Sequence, residues 1–448
     1  MVNEDRISEL SEDLLLKILS LLPTETVTST SVLSKNWRSL WKMVPNLKFE
    51  PKSDQSKYYN PENIYKFLTL HKAPVLESLH LNFKYEADIL NIGMCIETAF
   101  ARRVRELVLV SLYEEDKKFS LYDEVKMVKF PSVLFNFNDT LEILEIHTCF
   151  LFHFPSRVFL KSLRKLFLNE VNFEDEESVC NLLGGCPSLE DLVVDGGNYC
   201  LEGPFTIAVP SLQRLTIYDN YPAADLGGYV INAPCLKYLK LERFCMLGCC
   251  LIENAPELVE AVVVEVYNIT NENILESLTC VKRLSLEFSS SFDITFPTGK
   301  IFDQLVDLEL TTYESDWLRH NGTEWWKRLL WMLDSAPKLR ILKLTGMDDC
   351  ERDLDKGEAW NPPECVPECL LFHLEKLLWK GFNWQQEDEE EVATYILENA
   401  RRLKEAAFFV KRIDPKEVEK LEKSYELLDE LAIADMASNS CKLVFGSI

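Results

Sequence analysis

The 448-residue sequence predicts an α/β solenoid preceded by three short helices. Two observations carry this. A three-position apolar spacing recurs from about residue 70 towards the far end, whereas the first forty or so residues follow a helical apolar period instead. A third observation, a proline phrase before many of the copies, marks where one unit ends and the next begins.

In the N-terminal segment, Ser11 stands where a helix cap belongs, and Glu12 and Asp13 bring favourable charge to the first turn. Leu14, Ile18 and Leu22 follow at helical spacing, with Leu15 and Leu19 widening the stripe, and Pro23 ends it. Thr24 to Leu33 reads as a second, weaker helix. Ser34 is placed to cap a third, with Trp37, Leu40 and Trp41 on one side. So many apolar positions exceed what about forty residues can bury internally. The excess fits docking onto a helical partner. It equally fits a cap that seals the first repeat, and the residues alone leave both open.

The repeat is an apolar residue, two variable ones, an apolar residue, one variable, an apolar residue. It runs through Leu76-Leu79-Leu81, Val104-Leu107-Leu109, Leu141-Leu144-Ile146, Leu163-Leu166-Leu168, Leu189-Leu192-Val194 and Leu212-Leu215-Ile217. It continues through Leu236-Leu239-Leu241, Leu258-Ala261-Val263, Val281-Leu284-Leu286, Leu305-Leu308-Leu310 and Leu339-Leu342-Leu344, with weaker copies at Leu374-Leu377-Trp379 and Leu403-Ala406-Phe408. The central spacing of about 22 to 26 residues lies in the range of leucine-rich repeats. The last apolar pair alternates with polar positions, as a short half-buried strand requires. Ala73-Pro74, Cys186-Pro187, Val209-Pro210, Ala233-Pro234, Ala255-Pro256 and Ala336-Pro337 stop whatever precedes the strand, because proline lacks an N–H and clashes with a helical turn. Stacked units bury together what one cannot bury alone. Longer gaps hold Trp317, Trp325 and Trp326; Trp325, Leu329, Leu330 and Trp331 fit a helix packing inward, and a contact patch is the alternative.

Composition narrows the classes. The 47% apolar fraction is that of a globular protein. No apolar run approaches the roughly 20 residues of a membrane helix, and MVNEDRIS lacks the basic and apolar regions of a secretory signal. A net charge of −25 makes nucleic acid and anionic membranes poor partners. The fourteen scattered cysteines, with no C-x-x-C pair, read as reduced thiols in a cytoplasmic or nuclear protein, so the sequons at Asn138, Asn268 and Asn321 stay unmodified. Cys245, Cys249 and Cys250, or Cys365, Cys369 and His373, do not make a convincing zinc set. No nucleotide loop, zinc motif or nucleophile elbow is present, and no cofactor is expected.

Asp5-Arg-Ile-Ser, Leu10, Leu14-Leu15, Ile18-Leu19-Ser20, Leu22-Pro23-Thr24, Thr30-Ser-Val-Leu-Ser-Lys, Trp37-Arg38 and Leu40-Trp41 resemble the F-box of plant F-box proteins. Trp360-Asn-Pro-Pro, Val366-Pro-Glu-Cys-Leu-Leu, Leu374-Glu375, Trp379-Lys-Gly-Phe, Glu390-Glu391 and Tyr395-Ile-Leu-Glu-Asn-Ala are similar to the FBD region that follows the repeats in F-box/FBD/leucine-rich-repeat proteins. The resemblance implies an F-box over residues 1–50 and a solenoid over 51–346, with its parallel sheet concave and its helices and loops convex. An FBD region with the last repeats is expected over 347–411 as a cap, and a helix and tail over 412–448.

It further implies a non-catalytic adaptor of an SCF-type ubiquitin ligase. The F-box would hold a Skp-like linker, and through it a cullin, while the repeats hold an unknown protein target. Leu10, Ser11, Leu14, Ile18, Leu22, Pro23, Val32 and Trp37 are the expected linker contacts, Trp37 being the one most open to a core role. Ser11 departs from the family's partner-touching proline, and Glu25 and Asn36 stand where basic residues are common. The rival readings are a scaffold whose F-box does not dock and a small-molecule receptor within the repeats.

Overall fold

The computed structural model describes residues 7, 10–35, 37–50, 60–84, 89–112, 129, 139–147, 151–196, 201–219, 228–244, 250–266, 272–289, 297, 299–313, 324–345, 360–382, 387–410, 436–438 and 440–447. The chain divides into two compact units, Met1–Leu215 with Asp225–Pro234, and Thr216–Ala224 with Cys235–Ile448.

The first unit opens with helices α1 (Glu12–Leu19), α2 (Thr24–Ser29) and α3 (Trp37–Leu40), followed by strand β1 (Asn46–Phe49). Next come α4 (Pro61–Leu70), β2 (Ser78–Lys84), α5 (Ile89–Ala101), β3 (Glu106–Leu112), β4 (Ile143–His147), β5 (Leu151–Phe152), β6 (Lys165–Asn169), β7 (Asn172–Phe173), α6 (Glu176–Leu183), β8 (Asp191–Asp195) and β9 (Phe205–Ala208). The division falls within β10 (Arg214–Tyr218), and β11 (Tyr229–Asn232) returns to the first unit. Strands β1, β2, β3, β4, β6 and β8 lie side by side in that order, all parallel. Where the return is not helical, β9 pairs with β11.

The second unit holds β12 (Tyr238–Glu242), β13 (Cys250–Asn254), β14 (Glu260–Val266), α7 (Glu272–Ser277), β15 (Arg283–Ser289), β16 (Asp307–Tyr313), α8 (Glu324–Ser335) and β17 (Ile341–Thr345). It ends with α9 (Glu368–Phe372), β18 (Lys376–Lys380), α10 (Glu387–Asn399), β19 (Glu405–Val410) and β20 (Lys442–Ser447). Strands β12 and β14 to β20 pair in order, again all parallel. The weak copies at Leu374 and Leu403 thus extend the sheet. So do residues 442–447, which carry no repeat match; the segment 411–435 lies outside the described residues.

The spacing in the sequence becomes register in the sheet. In the first unit Leu79 sits opposite Leu107, Leu107 opposite Leu144, Leu144 opposite Leu166 and Leu166 opposite Leu192. In the second, Leu284 faces Leu308, Leu308 faces Leu342 and Leu342 faces Leu377. All three apolar positions of every copy are buried, and the most accessible of them, Leu258, is 3% exposed. Truncating one to alanine would remove a buried side chain at a cost of about 2–5 kcal/mol.

Between copies the main chain repeats one device. The carbonyl of the residue after the first apolar position accepts two N–H groups from the next copy. Glu142 and Ile143 donate to Arg105 O at 2.7 and 3.0 Å, Arg164 and Lys165 to Glu142 O at 2.8 and 3.1 Å, and Glu375 and Lys376 to Arg340 O at 2.8 and 3.0 Å. The phrases at Cys186-Pro187, Val209-Pro210, Ala255-Pro256 and Ala336-Pro337 are β-turns ahead of the strand, whereas after Ala73-Pro74 the Leu76 N–H goes to Arg102 O instead. Leu189 N–H reaches Cys186 O at 3.1 Å, and Leu339 N–H reaches Ala336 O at 3.1 Å, with proline in the second turn position, which its fixed φ suits. Leu163 makes the same turn onto Leu160 O at 3.2 Å without a proline.

Helix α8 buries Trp326, Leu329, Met332 and Leu333, with Leu330 and Trp331 half-buried. Of the inward face expected from sequence, Leu329 is fully buried and Leu330 and Trp331 lie at its margin, while Trp326, Met332 and Leu333 complete it; Trp317 and the Trp325 side chain lie outside the described residues. Trp326 packs among Trp360 and Trp379 at ring distances of 6.2 and 6.3 Å.

Helix α5 ends in a Schellman motif, in which Arg103 N–H bonds Phe100 O at 2.9 Å and Val104 N–H bonds Ala99 O at 3.2 Å. Its left-handed position, φ 59°, is held by exposed Arg103 where glycine is favoured. Replacing Arg103→Gly relieves that strain, and we expect a stabilisation of about 0.5–1 kcal/mol in denaturant unfolding.

Charges also ladder along the strands' N-terminal edge. Glu375 is bonded by Arg340 at 3.0 and 2.5 Å and by Lys404 at 2.8 Å. Hydrogen bonds from Lys404 and then Arg340 hold its carboxyl down to about 2. A depressed carboxyl stabilises the fold fully above its unfolded value of 4.5, and the contribution disappears as pH falls towards 2. A Glu375→Gln variant should therefore be less stable by under about 1 kcal/mol at neutral pH, as for exposed ion pairs. Its unfolding curve should converge on that of wild type near the acid end.

Candidate functional site

The N-terminal helices build a small core from Leu15, Leu19, Val27, Trp37, Leu40 and Val44, with Leu16, Leu22 and Trp41 packed against it. Helix α1 is thereby split along its length. Leu15 and Leu19 turn inward at 5% and 1% exposure, while Leu14 and Ile18 turn outward at 48% and 46%. The leucine stripe that reads as one face in the sequence is two faces, because neighbouring positions on a helix lie about 100° apart. Leu10, Leu21, Val32 and Leu33 are also exposed, Leu21 at 82% and Val32 at 86%. So many large apolar side chains on a few short helices are an unpartnered surface of the kind that binds protein.

Of the expected contact residues, Leu10, Ser11, Leu14, Ile18, Pro23 and Val32 are exposed. Leu22 is half-buried against the core. Trp37 takes the core role left open for it, at 7% exposure among the residues that pack beneath the surface. Sequence reasoning passed over Leu21 and Leu33. Leu21 was findable, since it continues the Leu14 and Ile18 period one turn on. Ser11 occupies the α1 cap position, but its hydroxyl makes no capping bond. Its φ of −61° is one that proline adopts. Helix α3 begins at Trp37, three residues past Ser34, so Ser34 is not its cap.

Strand β1 joins this small domain to the repeats. Leu47 and Phe49 pair in register with Leu79 and Leu81. Docking and capping, alternatives in the sequence, are compatible here, because the outward face of α1 is separate from the strand that seals the first repeat.

The sheet face opposite the leucines presents each strand's polar positions. In the first unit His80 bonds Glu106 at 2.8 Å, and His147 stacks on Phe167 at 4.7 Å. In the second, Arg283 pairs with Glu260 at 2.5 Å, Lys343 with Asp307 at 2.9 Å and Lys376 with Glu405 at 3.1 Å. Burial, then the Glu265 carboxylate, raises the Glu287 carboxyl above the usual range.

A hollow of about 350 Å³ in the first unit is lined by Glu142, Lys161, Ser162, Arg164, Ser188, Glu190, Ser211 and Gln213. It is polar and its charges are mixed, with Arg164 3.8 Å from Glu190, unlike the apolar pocket of a small-molecule receptor. His153, Ser178 and Asp175 cluster but do not form a triad. Both partners face the same ring nitrogen, Nδ1, at 3.5 and 3.6 Å, and Ser178 is fully buried. Among the described residues no three His, Cys, Asp or Glu side chains converge as a metal site, and no helix is long and apolar enough to cross a membrane. The Cys369 thiol donates to Leu333 O at 3.3 Å, and burial pushes it up to about 12. Cys245 and Cys249 lie outside the described residues.

Residues 7–49 match the F-box domain, residues 92–264 match the leucine-rich repeats of the FBD-associated F-box protein At5g56370, and residues 361–408 match FBD. The chain belongs to the F-box/FBD/leucine-rich-repeat family, whose F-box and repeats mark ubiquitin-ligase substrate adaptors. Among its relatives in Arabidopsis thaliana, the putative F-box/FBD/LRR-repeat protein At3g49030 is 60% identical over 100% of this chain and 96% of its own length. The F-box/FBD/LRR-repeat protein At2g04230 is 56% identical over 100% and 98%.

The split of α1 makes a direct expectation. Ile18→Asp should change the unfolding midpoint little, within about 0.5 kcal/mol. Leu19→Asp buries a charge in the core and should unfold the F-box, costing several kcal/mol, at least about 3. Circular dichroism under denaturant reads both.

Proposed function

We propose that this protein is the substrate-recognition subunit of an SCF-type ubiquitin ligase, working in the cytoplasm, the nucleus or both. The observation that supports this most is the exposed row of Leu14 and Ile18 over a core closed by Leu15 and Leu19. Such a row suits a helix-packing partner, here a Skp-like linker that carries a cullin. The outward sheet face of the repeats holds the target protein. The chain itself supplies no covalent chemistry in this role. Its effect is proximity, because a tethered target meets the charged ubiquitin carrier at a raised local concentration.

The second reading, a scaffold whose F-box does not dock, rests on Ser11 in place of the family's proline. The two readings separate in a binding titration between the full chain and a purified Skp-like linker. The ligase reading expects a complex that Leu14→Asp/Ile18→Asp abolishes, by at least about a hundredfold, while the fold survives. Ser11→Pro, whose backbone already fits proline, should tighten the complex. A well-folded wild type that binds no linker would sink the ligase reading.

A further inference from the structure

The joint between the F-box and the first repeat holds more directed polar contacts than packing alone requires. Val44 places its side chain in the F-box core, while its carbonyl accepts from His71 Nε2 at 3.0 Å. His71, 2% exposed, lies at the end of α4. Its other nitrogen, Nδ1, accepts from Arg102 Nη1 at 3.0 Å. Arg102 Nη2 then donates to Leu68 O at 2.8 Å and to His71 O at 2.9 Å, and the Arg102 carbonyl accepts Leu76 N–H at 3.0 Å. One imidazole therefore bridges the F-box to the chain that follows α5.

Main-chain bonds run parallel to this bridge. Lys72 and Ala73 donate to Lys42 O at 2.7 and 2.9 Å, and Glu77 and Ser78 to Pro45 O at 2.8 and 3.3 Å. Phe67 fills the space between, 4.9 Å from Trp41, 5.3 Å from Phe49 and 6.1 Å from the His71 ring.

We infer that His71 and Arg102 are positioning residues that lock the F-box onto the first repeat at one angle, so that a docked linker is presented in a fixed orientation. This rests on the adaptor reading above. The arrangement requires a neutral imidazole with its proton on Nε2, because Nδ1 must accept from a guanidinium. Arg102 is the charged group that faces the ring; Phe67 and the Val44 carbonyl, from α4 and the F-box, are uncharged. Burial first, then Arg102, hold His71 down to about 4, against the opposing pull of the Val44 carbonyl. The contribution of His71 is thus complete above its free value of 6.5 and is lost as pH falls towards 4.

The test uses the full chain with a purified Skp-like linker, in wild type, His71→Phe, the conservative His71→Gln, and Arg102→Gln. Hydrogen exchange should be about tenfold faster at Lys72, Ala73 and Glu77 in His71→Phe and Arg102→Gln, and unchanged in β6. His71→Gln, which keeps a donor and an acceptor, should recover part of the protection. Corrected for intrinsic chemistry, wild-type protection of these amides should fall between pH 6.5 and 4, and His71→Phe should lose that dependence. Linker affinity should hold, whereas the lysines modified by self-ubiquitination in a reconstituted ligase should spread over more positions. Folded variants with wild-type exchange overturn the lock. Faster exchange with an unchanged lysine pattern overturns the positioning role. A folded wild type that binds no linker overturns the adaptor reading and the positioning role with it, and exchange then reads the lock alone.

Discussion

Within each unit, successive copies of the repeat share one carbonyl oxygen, on which two N–H groups of the neighbour close. The bonds from Glu142 and Ile143 to Arg105, and from Glu375 and Lys376 to Arg340, are instances of the same contact in the two units. The contact fixes the register, so that Leu107 must lie over Leu144 and Leu342 over Leu377. A slip of one residue would turn the leucines to the solvent face and the charges inward. Once the register holds, the returns between strands are free to vary, as helix in α6 and α8 and as a strand pair in β9 and β11. That freedom is how an irregular sequence keeps a regular sheet.

The F-box belongs to this stack as its first layer. Strand β1 carries Leu47 and Phe49 onto Leu79 and Leu81, and the His71 and Arg102 bridge closes the other side of the joint. Because the repeats are sealed by β1 and the imidazole, the outward side of α1 is released from structural duty. Leu14 and Ile18 can stay exposed without leaving the core short, since Leu15, Leu19 and Trp37 fill it. A contiguous exposed apolar surface of this kind is the mark of a protein-binding site.

The acidic balance of −25 does not translate into an unbroken negative face. Along the strands, carboxylates alternate with arginines and lysines, as Arg340, Glu375 and Lys404 do. Exposed pairs of this kind add little stability each. They do oppose wrong stacking, because a shifted copy would set like charges against one another.

The sequence alone determined the repeat, its strand and its buried positions, because an apolar spacing of three and then two survives any variation in the loops. It also determined the presence of an F-box and an FBD region, through residues whose order is unusual enough to recognise. It did not decide which leucines of α1 face out. Leu14 and Leu15 are chemically alike, and only the packing of Val27, Trp37 and Val44 against one side tells them apart. Nor did it show that Lys442–Ser447 adds a strand or that His71 joins two domains, since both depend on partners tens of residues away in the chain. Local periodicity is written in neighbours three or four positions apart, whereas facing, register at the ends and buried polar bridges are set by the tertiary structure.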